Sequence, residues 1–312
     1  MPEVSVIVPA RDATATLQST LDALAGQSLA PDRFEVIVVD DASIDGTAAL
    51  AREAGARVLS ASGKGPAAAR NAGARVASGE ILAFTDADCA PAAGWLEAAL
   101  EALREADLVQ GAVRPPPGAA PGPFDRTLWV QAEHGLYESA NLFVRREVFD
   151  RLGGFESWLR PRRGIELGED TLLGWSAHRA GARVAFAPEA VVHHAVHPRS
   201  AADYVAERAR LRYFPALVAR IPELRDQFAY RRFFLSAAFD LALVGLLVAL
   251  ACRRRRPLAL TLVAPYAAVL ASDARRWGVR LGPRVALAGV AADGVGAAAL
   301  ACGSVEARMM LL

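Results

Sequence analysis

Hydropathy changes character partway along this chain, and that change limits the possible folds more than any single motif does. Up to about residue 195, short runs rich in valine and isoleucine alternate with amphipathic stretches. The runs are residues 4–8, 34–39, 57–60, 81–85 and 108–113. Short runs that are apolar on both faces read as strands buried in a parallel sheet. Between them, residues 13–26, 47–55, 66–77 and 91–104 carry helical periodicity, the last with Pro91 suited to a first turn. Strand followed by helix, repeated, implies an α/β fold built on a doubly wound, mostly parallel sheet.

Five of the nine residues 115–123 are proline, so this segment continues neither element and predicts an exposed loop or a seam. Beyond it come a strand at 141–144, a turn at Gly153-Gly154, a helix over 170–179 and a strand pair at 184–187 and 190–193. From Phe233 the pattern is that of lipid-compatible helices. Residues 233–252 hold one charge, Asp240, over about the length needed to cross a bilayer. Residues 257–272 and 285–305 are further candidates, one short and one interrupted by Asp293. Arg231, Arg232, the run 253–256, Arg275, Arg276, Arg280 and Arg284 flank these segments. With arginine in every connecting loop, the positive-inside rule selects no topology, and at least one segment is expected to be re-entrant or interfacial. A soluble helical subdomain packed on the sheet is the alternative. The expected division is therefore a sheet-based domain over 1–230 and a membrane-associated region of two to three hydrophobic helices over 231–312.

Composition removes several functional classes. A formal net charge of +1 supplies no basic field for nucleic acid and no acidic excess for disorder. Cys89, Cys252 and Cys302 are odd in number and far apart, which argues against a disulfide framework or a zinc site and suits a reducing cytosol. The N-terminus opens on a short strand-like run rather than on the pattern of a secretory signal.

Acidic residues sit where apolar runs end. Asp40-Asp41 follows one run and Asp86-Ala87-Asp88 another, at the sheet edge where open α/β folds bind ligands. The first pair suits hydrogen bonds to ribose or a base edge; the second suits a hard cation shared with a diphosphate. An N-cap or a polar turn is the plain alternative for each. The turn at residues 63–65 opens a helix whose N–H groups, with Lys64 or Arg70, suit an anion. Glu169-Asp170 begins another helix, where the dipole is expected to favour the ionised carboxylate and suit a general base. His193, His194 and His197 follow the last apolar run, and alternation sends His193 and His194 to opposite faces, so that one of them is a candidate cation ligand.

Taken in order, VIVPARD at 6–12, VVDDASIDGT at 38–47, ARNAG at 69–73, DAD at 86–88 and GED at 168–170 resemble the inverting family 2 glycosyltransferases of the GT-A fold. The resemblance covers about residues 3–200, and similar proteins frequently carry C-terminal transmembrane helices. It implies a nucleotide-sugar donor bound through Pro9, Ala10, Arg11, Asp40, Asp41, Lys64, Arg70, Asp86 and Ala87. Mn²⁺ or Mg²⁺ would be held by Asp88 and by His194, with His193 still open. Asp170, paired with Glu169, would be the catalytic base. The acceptor would be lipid-linked, polyprenyl or glycan, met at the cell membrane by a catalytic domain facing the cytoplasm. A sugar-phosphate nucleotidyltransferase and a membrane-anchored receiver-like protein are the rival readings.

Overall fold

In the computed structural model, which describes residues 1–159, 166–228, 237–309 and 311, the apolar runs become strands of one eight-stranded sheet. The chain separates into two compact units: Met1–Ala120 with Thr127–His197, and Pro121–Arg126 with Pro198–Leu312. The expected boundary between residues 230 and 231 lies outside the described residues, as do Arg231 and Arg232.

The first unit runs β1 (Val4–Ala10), α1 (Leu17–Ala25), β2 (Phe34–Asp40), α2 (Thr47–Glu53), β3 (Arg57–Ser60), α3 (Pro66–Val76) and β4 (Ile81–Thr85). It continues with β5 (Cys89–Pro91), α4 (Trp95–Ala102), β6 (Leu108–Arg114), β7 (Asn141–Arg145), α5 (Arg146–Leu152), α6 (Glu169–Arg179) and β8 (Val184–His194). Across the sheet the order is β3-β2-β1-β4-β7-β6-β8-β5. Strands β3, β2, β1 and β4 are mutually parallel, and β6 is parallel to β8. Strand β7 is antiparallel to both β4 and β6, so the parallel strands on its two sides all end at one edge.

Alternation along the strands feeds two apolar layers. Val4, Val6, Val8, Val38 and Ala83 pack with residues of α1 and α4, whereas Ile7, Ile37, Val39, Leu82 and Phe84 pack with residues of α3, α5 and α6. Each of the valine, isoleucine, leucine and phenylalanine side chains among them, removed fully from water, contributes about 1.5–3 kcal/mol.

Three details depart from the sequence reading. Helix α1 starts at Leu17 rather than at residue 13, because the preceding segment is tied to the β2–α2 loop. There the Ala13 N–H donates to Thr47 Oγ1 at 2.8 Å and the Ile44 N–H to Asp12 Oδ1 at 2.8 Å. Pro91 ends a strand rather than opening a helix: Cys89–Pro91 pairs with β8, and α4 begins only at Trp95. The expected strand pair at 184–187 and 190–193 is one strand, β8, interrupted by a bulge. Its partner steps from Gly111 opposite Ala187 to Ala112 opposite Val191, which leaves exposed Pro188 and Glu189 and buried Ala190 out of register.

Asn141 fills the gap that this bulge opens. Its Nδ2 donates to the carbonyls of Ala112 at 2.8 Å and Ala190 at 2.7 Å, while its Oδ1 accepts from Trp95 Nε1 at 2.8 Å. Only glycine fits at 111, since an added Cβ would overlap the Asn141 amide and the Ala190 carbonyl.

In the second unit follow α7 (Ala201–Glu207), a 3₁₀ segment Arg208–Tyr213, α8 (Phe214–Arg220), α9 (Leu224–Phe228), α10 (Ala237–Ala251), α11 (Arg256–Thr261), α12 (Ala264–Arg276) and α13 (Gly278–Glu306). Of the three apolar candidates, the first begins outside the described residues and continues as the 15-residue α10. The candidate at 257–272 is divided between α11 and α12, so it forms no single span. Among the described residues one helix, the 29-residue α13, is long and apolar enough to cross a membrane. Within these helices the Tyr266 hydroxyl donates to Asp293 Oδ2 at 2.6 Å, which gives the carboxylate in α13 a partner.

Asn141→Ala strands the Trp95 N–H and two carbonyls in a buried setting. It is expected to destabilise the first unit by about 2–5 kcal/mol, read as a lowered thermal midpoint of the full chain. An unchanged midpoint would show that the bulge does not depend on this amide.

Candidate active site

Strands β1, β2 and β4 end together, so their C-terminal residues share one edge with those of β6 and β8. At the end of β1, Pro9 is half-buried, Ala10 is buried and Arg11 is exposed. Asp40, the last residue of β2, and Asp41 after it are both buried. Asp40 Oδ1 accepts from the Ser43 N–H at 3.2 Å, and Asp41 Oδ2 from the Gly65 N–H at 2.9 Å. Asp41 Oδ1 is buried and has no hydrogen-bond partner among the described residues. A buried acceptor left open in this way is suited to a donor group on a ligand.

Helix α3 enters this edge from Gly65, which has φ +97° and whose Cα hydrogen side lies against the Glu166 carboxylate. Exposed Lys64 precedes it. Arg70, on the second turn of α3, is only 4% exposed, so its charge requires compensation from inside the protein. Its Nη2 donates to Asp86 Oδ1 at 2.6 Å and its Nη1 to Glu169 Oε1 at 3.3 Å. The guanidinium carbon lies 5.7 Å from the centre of the Phe155 ring. The next residue fixes that ring: Asn71 exchanges hydrogen bonds with the Phe155 backbone at 2.7 and 2.9 Å. Arg70 thus joins the aspartate after β4 to the glutamate that opens α6.

Ala87 is buried between Asp86 and Asp88. Asp88 faces the end of β8, where His197 Nε2 donates to its Oδ2 at 2.8 Å and His194 Nε2 lies 3.6 Å from the same oxygen. His194 Nδ1 is 2.8 Å from the Ala195 carbonyl, which can only accept, so that nitrogen carries the proton. In the neutral ring the Nε2 lone pair then points toward a carboxylate, an arrangement that a shared cation relieves. Asp88, Cys89 and His194 present atoms within 4.8 Å of one another. Burial, aided by Asp86 and Asp88, pushes the Cys89 thiol well above its usual range, which keeps it neutral and leaves oxygen and imidazole as the fitting donors. His193 turns the other way, with Nδ1 on the Pro115 carbonyl at 3.1 Å.

Glu169 is buried and Asp170 half-buried in the first turn of α6. Asp170 Oδ1 accepts from its neighbour's N–H, that of Thr171, at 2.7 Å; its Oδ2 accepts from the Ser139 N–H at 3.2 Å. The helix dipole was expected to lower the proton affinity here, and the opposite holds. Burial raises both carboxylates above their ordinary values, with Glu138 adding to the effect on Asp170 and Asp170 to that on Glu169, while Arg70 opposes. Desolvation outweighs the dipole because the helix end is covered.

Two contributors, Glu138 and Ser139, escape the sequence reading, and a third, His197, is named there without a role. The spacing of His194 and His197 was a usable signal for His197. Glu138, held by Gln110 Nε2 at 2.7 Å, and Ser139 carry none, since only the antiparallel return of β7 brings them to this edge.

A family model described as glycosyl transferase family 2 matches residues 5–156. Among curated relatives, glycosyltransferase AglE of Haloferax volcanii is 34% identical over 175 residues, 51% of this chain and 58% of that protein. Pre-mycofactocin glycosyltransferase of Mycobacterium tuberculosis is 29% identical over 227 residues, 66% of this chain and 45% of that one. The chain therefore spans about half the length of these relatives. Among solved structures, the mannosyltransferase PcManGT from Pyrobaculum calidifontis, in complex with GDP-Man and Mn²⁺, superposes with a TM-score of 0.58 at 21% identity, covering 98% of this chain and 87% of that one. S. aureus TarS 1-349 in complex with UDP-GlcNAc gives 0.54 at 19% identity, covering 99% and 93%. At these identities the likeness concerns the fold.

Replacing Arg70 by alanine leaves Asp86 and Glu169 without their shared cation and is expected to cost about 3–5 kcal/mol at neutral pH. Glu169 holds its proton above the ordinary carboxylate value when folded, so its unfavourable charge is fully present above the folded-state value and vanishes below the ordinary one. The deficit of Arg70→Ala should therefore narrow as pH falls through the folded-state value of about 7, below which Glu169 is protonated with or without the arginine, in thermal melts followed across pH. A deficit independent of pH would mean that Arg70 acts through packing alone.

Proposed function

Because residues 5–156 make this chain a member of glycosyl transferase family 2, we propose that it moves a sugar from a nucleoside-diphosphate donor to an acceptor hydroxyl, with inversion at the anomeric carbon. The observation that carries this reading is the convergence of Asp86, Asp88, Glu169 and Asp170 at one sheet edge, two of them joined through Arg70. Asp41, with its open buried oxygen, suits a base or ribose donor; Asp40, Pro9, Ala10 and Arg11 border the same edge. Lys64 and the start of α3 suit the diphosphate.

Asp88 and His194 would hold a divalent cation, Mn²⁺ or Mg²⁺, since a carboxylate and an imidazole with a bare Nε2 fit either ion. Such an ion, when bound, neutralises charge on the departing diphosphate. Asp170 takes the proton of the acceptor hydroxyl, and its raised proton affinity makes it a stronger base than an exposed aspartate. The acceptor oxygen attacks the anomeric carbon as the bond to the diphosphate breaks, so one displacement inverts configuration. Arg70 acts through the carboxylates that it positions. Helix α13 favours action at a membrane on a lipid-linked, polyprenyl or glycan acceptor, and the free thiols of Cys89, Cys252 and Cys302 suit a catalytic domain on the cytoplasmic side.

A screen of nucleotide sugars for stabilisation that depends on Mn²⁺ or Mg²⁺ tests the reading. One donor should raise the thermal midpoint only with metal, and Asp88→Ala should remove that dependence; stabilisation indifferent to metal in both proteins would remove Asp88 from the site. Asp170→Asn should lower transfer at least ~10²-fold while nucleotide binding persists. Full transfer by this variant would exclude Asp170 as the base. In the native enzyme kcat/KM for the acceptor should rise with pH through an ionisation lying above the ordinary carboxylate range, because the base works only when deprotonated. An acid limb at the ordinary aspartate value would place the base elsewhere.

A further inference from the structure

Residues Asp170, Thr171, Gly174, Trp175 and His178 recur at the three- and four-residue spacing that puts them on one face of α6. The stretch that leads into β7, residues 133–139, lies along that face and is fastened to it at successive points. Trp175 Nε1 donates to the Gly135 carbonyl at 2.9 Å, Thr171 Oγ1 to the Leu136 carbonyl at 2.8 Å, and the Ser139 N–H to Asp170 Oδ2 at 3.2 Å. Tyr137 sits in the middle of this seam. Its ring lies against Gly174, so close that a Cβ there would come within 2.1 Å of it. Its hydroxyl donates to Glu133 Oε1 at 3.1 Å and lies 2.6 Å from His178 Nε2. One hydroxyl has one proton to give, so His178 is the donor to the Tyr137 oxygen.

The backbone at Tyr137 is strained. Its φ of +55° lies in the left-handed region, which a residue with a bulky side chain rarely adopts. Such a conformation persists where the surroundings over-determine it, as the seated ring, the tied hydroxyl and the anchored Leu136 carbonyl do here. Packing alone asks for neither the strained backbone nor a hydroxyl tied at both ends. What the arrangement delivers lies two residues on, at Ser139.

Asp170 receives that delivery. Its Oδ1 is held from within α6 by the Thr171 N–H at 2.7 Å, whereas the bond to its Oδ2 comes from Ser139. With one oxygen held, a carboxylate can still turn about its Cβ–Cγ bond; with both held, its plane is fixed. The charged groups that face it are Glu138 on the same segment, Arg70 on α3 and Glu169 on α6. Glu138 is steadied by Gln110 on β6 at 2.7 Å and by His134 at 3.4 Å.

We propose that Tyr137 is a positioning residue for the transfer step: seated on Gly174 and tied to His178 and Glu133, it locks residues 133–139 on α6 and so keeps both oxygens of Asp170 in place. The role rests on the sugar-transfer reading, in which Asp170 is the base.

The test compares the full native chain with Gly174→Ala and Tyr137→Phe, using UDP-, GDP- and dTDP-sugars with Mn²⁺ as probes and release of nucleoside diphosphate as the rate. Alanine is the better helix former, so Gly174→Ala leaves α6 sound while driving the Tyr137 ring off its seat. Tyr137→Phe removes the hydroxyl alone. The kcat is expected to fall about tenfold or more in Gly174→Ala and less in Tyr137→Phe, with KM for the donor changed less than about twofold, because orientation of the base is lost and donor binding is not. The acid limb of kcat should move to lower pH. Burial is the largest cause of the raised proton affinity of Asp170, and lifting its cover relieves that cause against the smaller, opposing loss of the Ser139 N–H. Amide exchange over 133–139 should quicken at least about tenfold in Gly174→Ala, as release of this segment from α6 requires.

Faster exchange with native kcat and an unmoved acid limb would leave Tyr137 a structural residue only and overturn the role. Native exchange would show that Tyr137 locks nothing and overturn it too. Should Gly174→Ala fail to assemble, Tyr137→Phe carries the same three readouts, and native values in all of them overturn the role. A native chain that releases nucleoside diphosphate from none of the probes sinks the sugar-transfer reading and this role with it; an active native chain matched by its variants overturns the role of Tyr137 alone.

Discussion

A buried guanidinium cannot remain charged and unpaired, and this constraint organises the candidate site. Arg70 is 4% exposed, yet it stands between Asp86 and Glu169 rather than beside one partner. Desolvation of the three groups is offset only if all stay within hydrogen-bond reach. The arginine therefore fixes the spacing of two acidic motifs that lie far apart in sequence. Its flank on Phe155, pinned by Asn71, restricts the guanidinium plane as well.

The sheet makes that pairing possible. Parallel strands deliver Asp40, Asp41 and Asp86 to one edge, and the antiparallel β7 brings Ser139 back to hold Asp170 at the same edge. Asn141, the first residue of β7, closes the bulge between β6 and β8 that lets β8 carry His194 to Asp88. Fold stability and site geometry consequently share residues.

Much of this was legible in the residues alone, for reasons that can be stated. Buried strands carry apolar runs, so the strands ending in Asp40 and Asp86 were visible, as was the helix opened by Glu169. Elements that depend on distant partners were not. Pro91 suits a first helical turn by local preference, but pairing of Cys89–Pro91 with β8 decides its conformation. The bulge at Pro188 and Glu189 looks locally like a turn between two strands, and only the step in register opposite Gly111 shows one continuous strand. The proton affinity of Asp170 was misjudged because the helix dipole is a local property, whereas burial and the approach of Glu138 are consequences of the tertiary fold. Among the apolar segments, length and composition suggested spans, but 257–272 divides where Pro265 enters the first turn of α12, a local signal that hydropathy does not encode.

The central claim is that the acidic residues after β4 and at the start of α6 act as one electrostatic unit through Arg70. A double-mutant cycle on Asp86→Asn and Glu169→Gln, read as unfolding stability at neutral pH, tests it most directly. The account predicts that the two substitutions couple by about 1 kcal/mol or more, because each changes what Arg70 has left to pair with. Additivity within about 0.3 kcal/mol would show two independent carboxylates and contradict it.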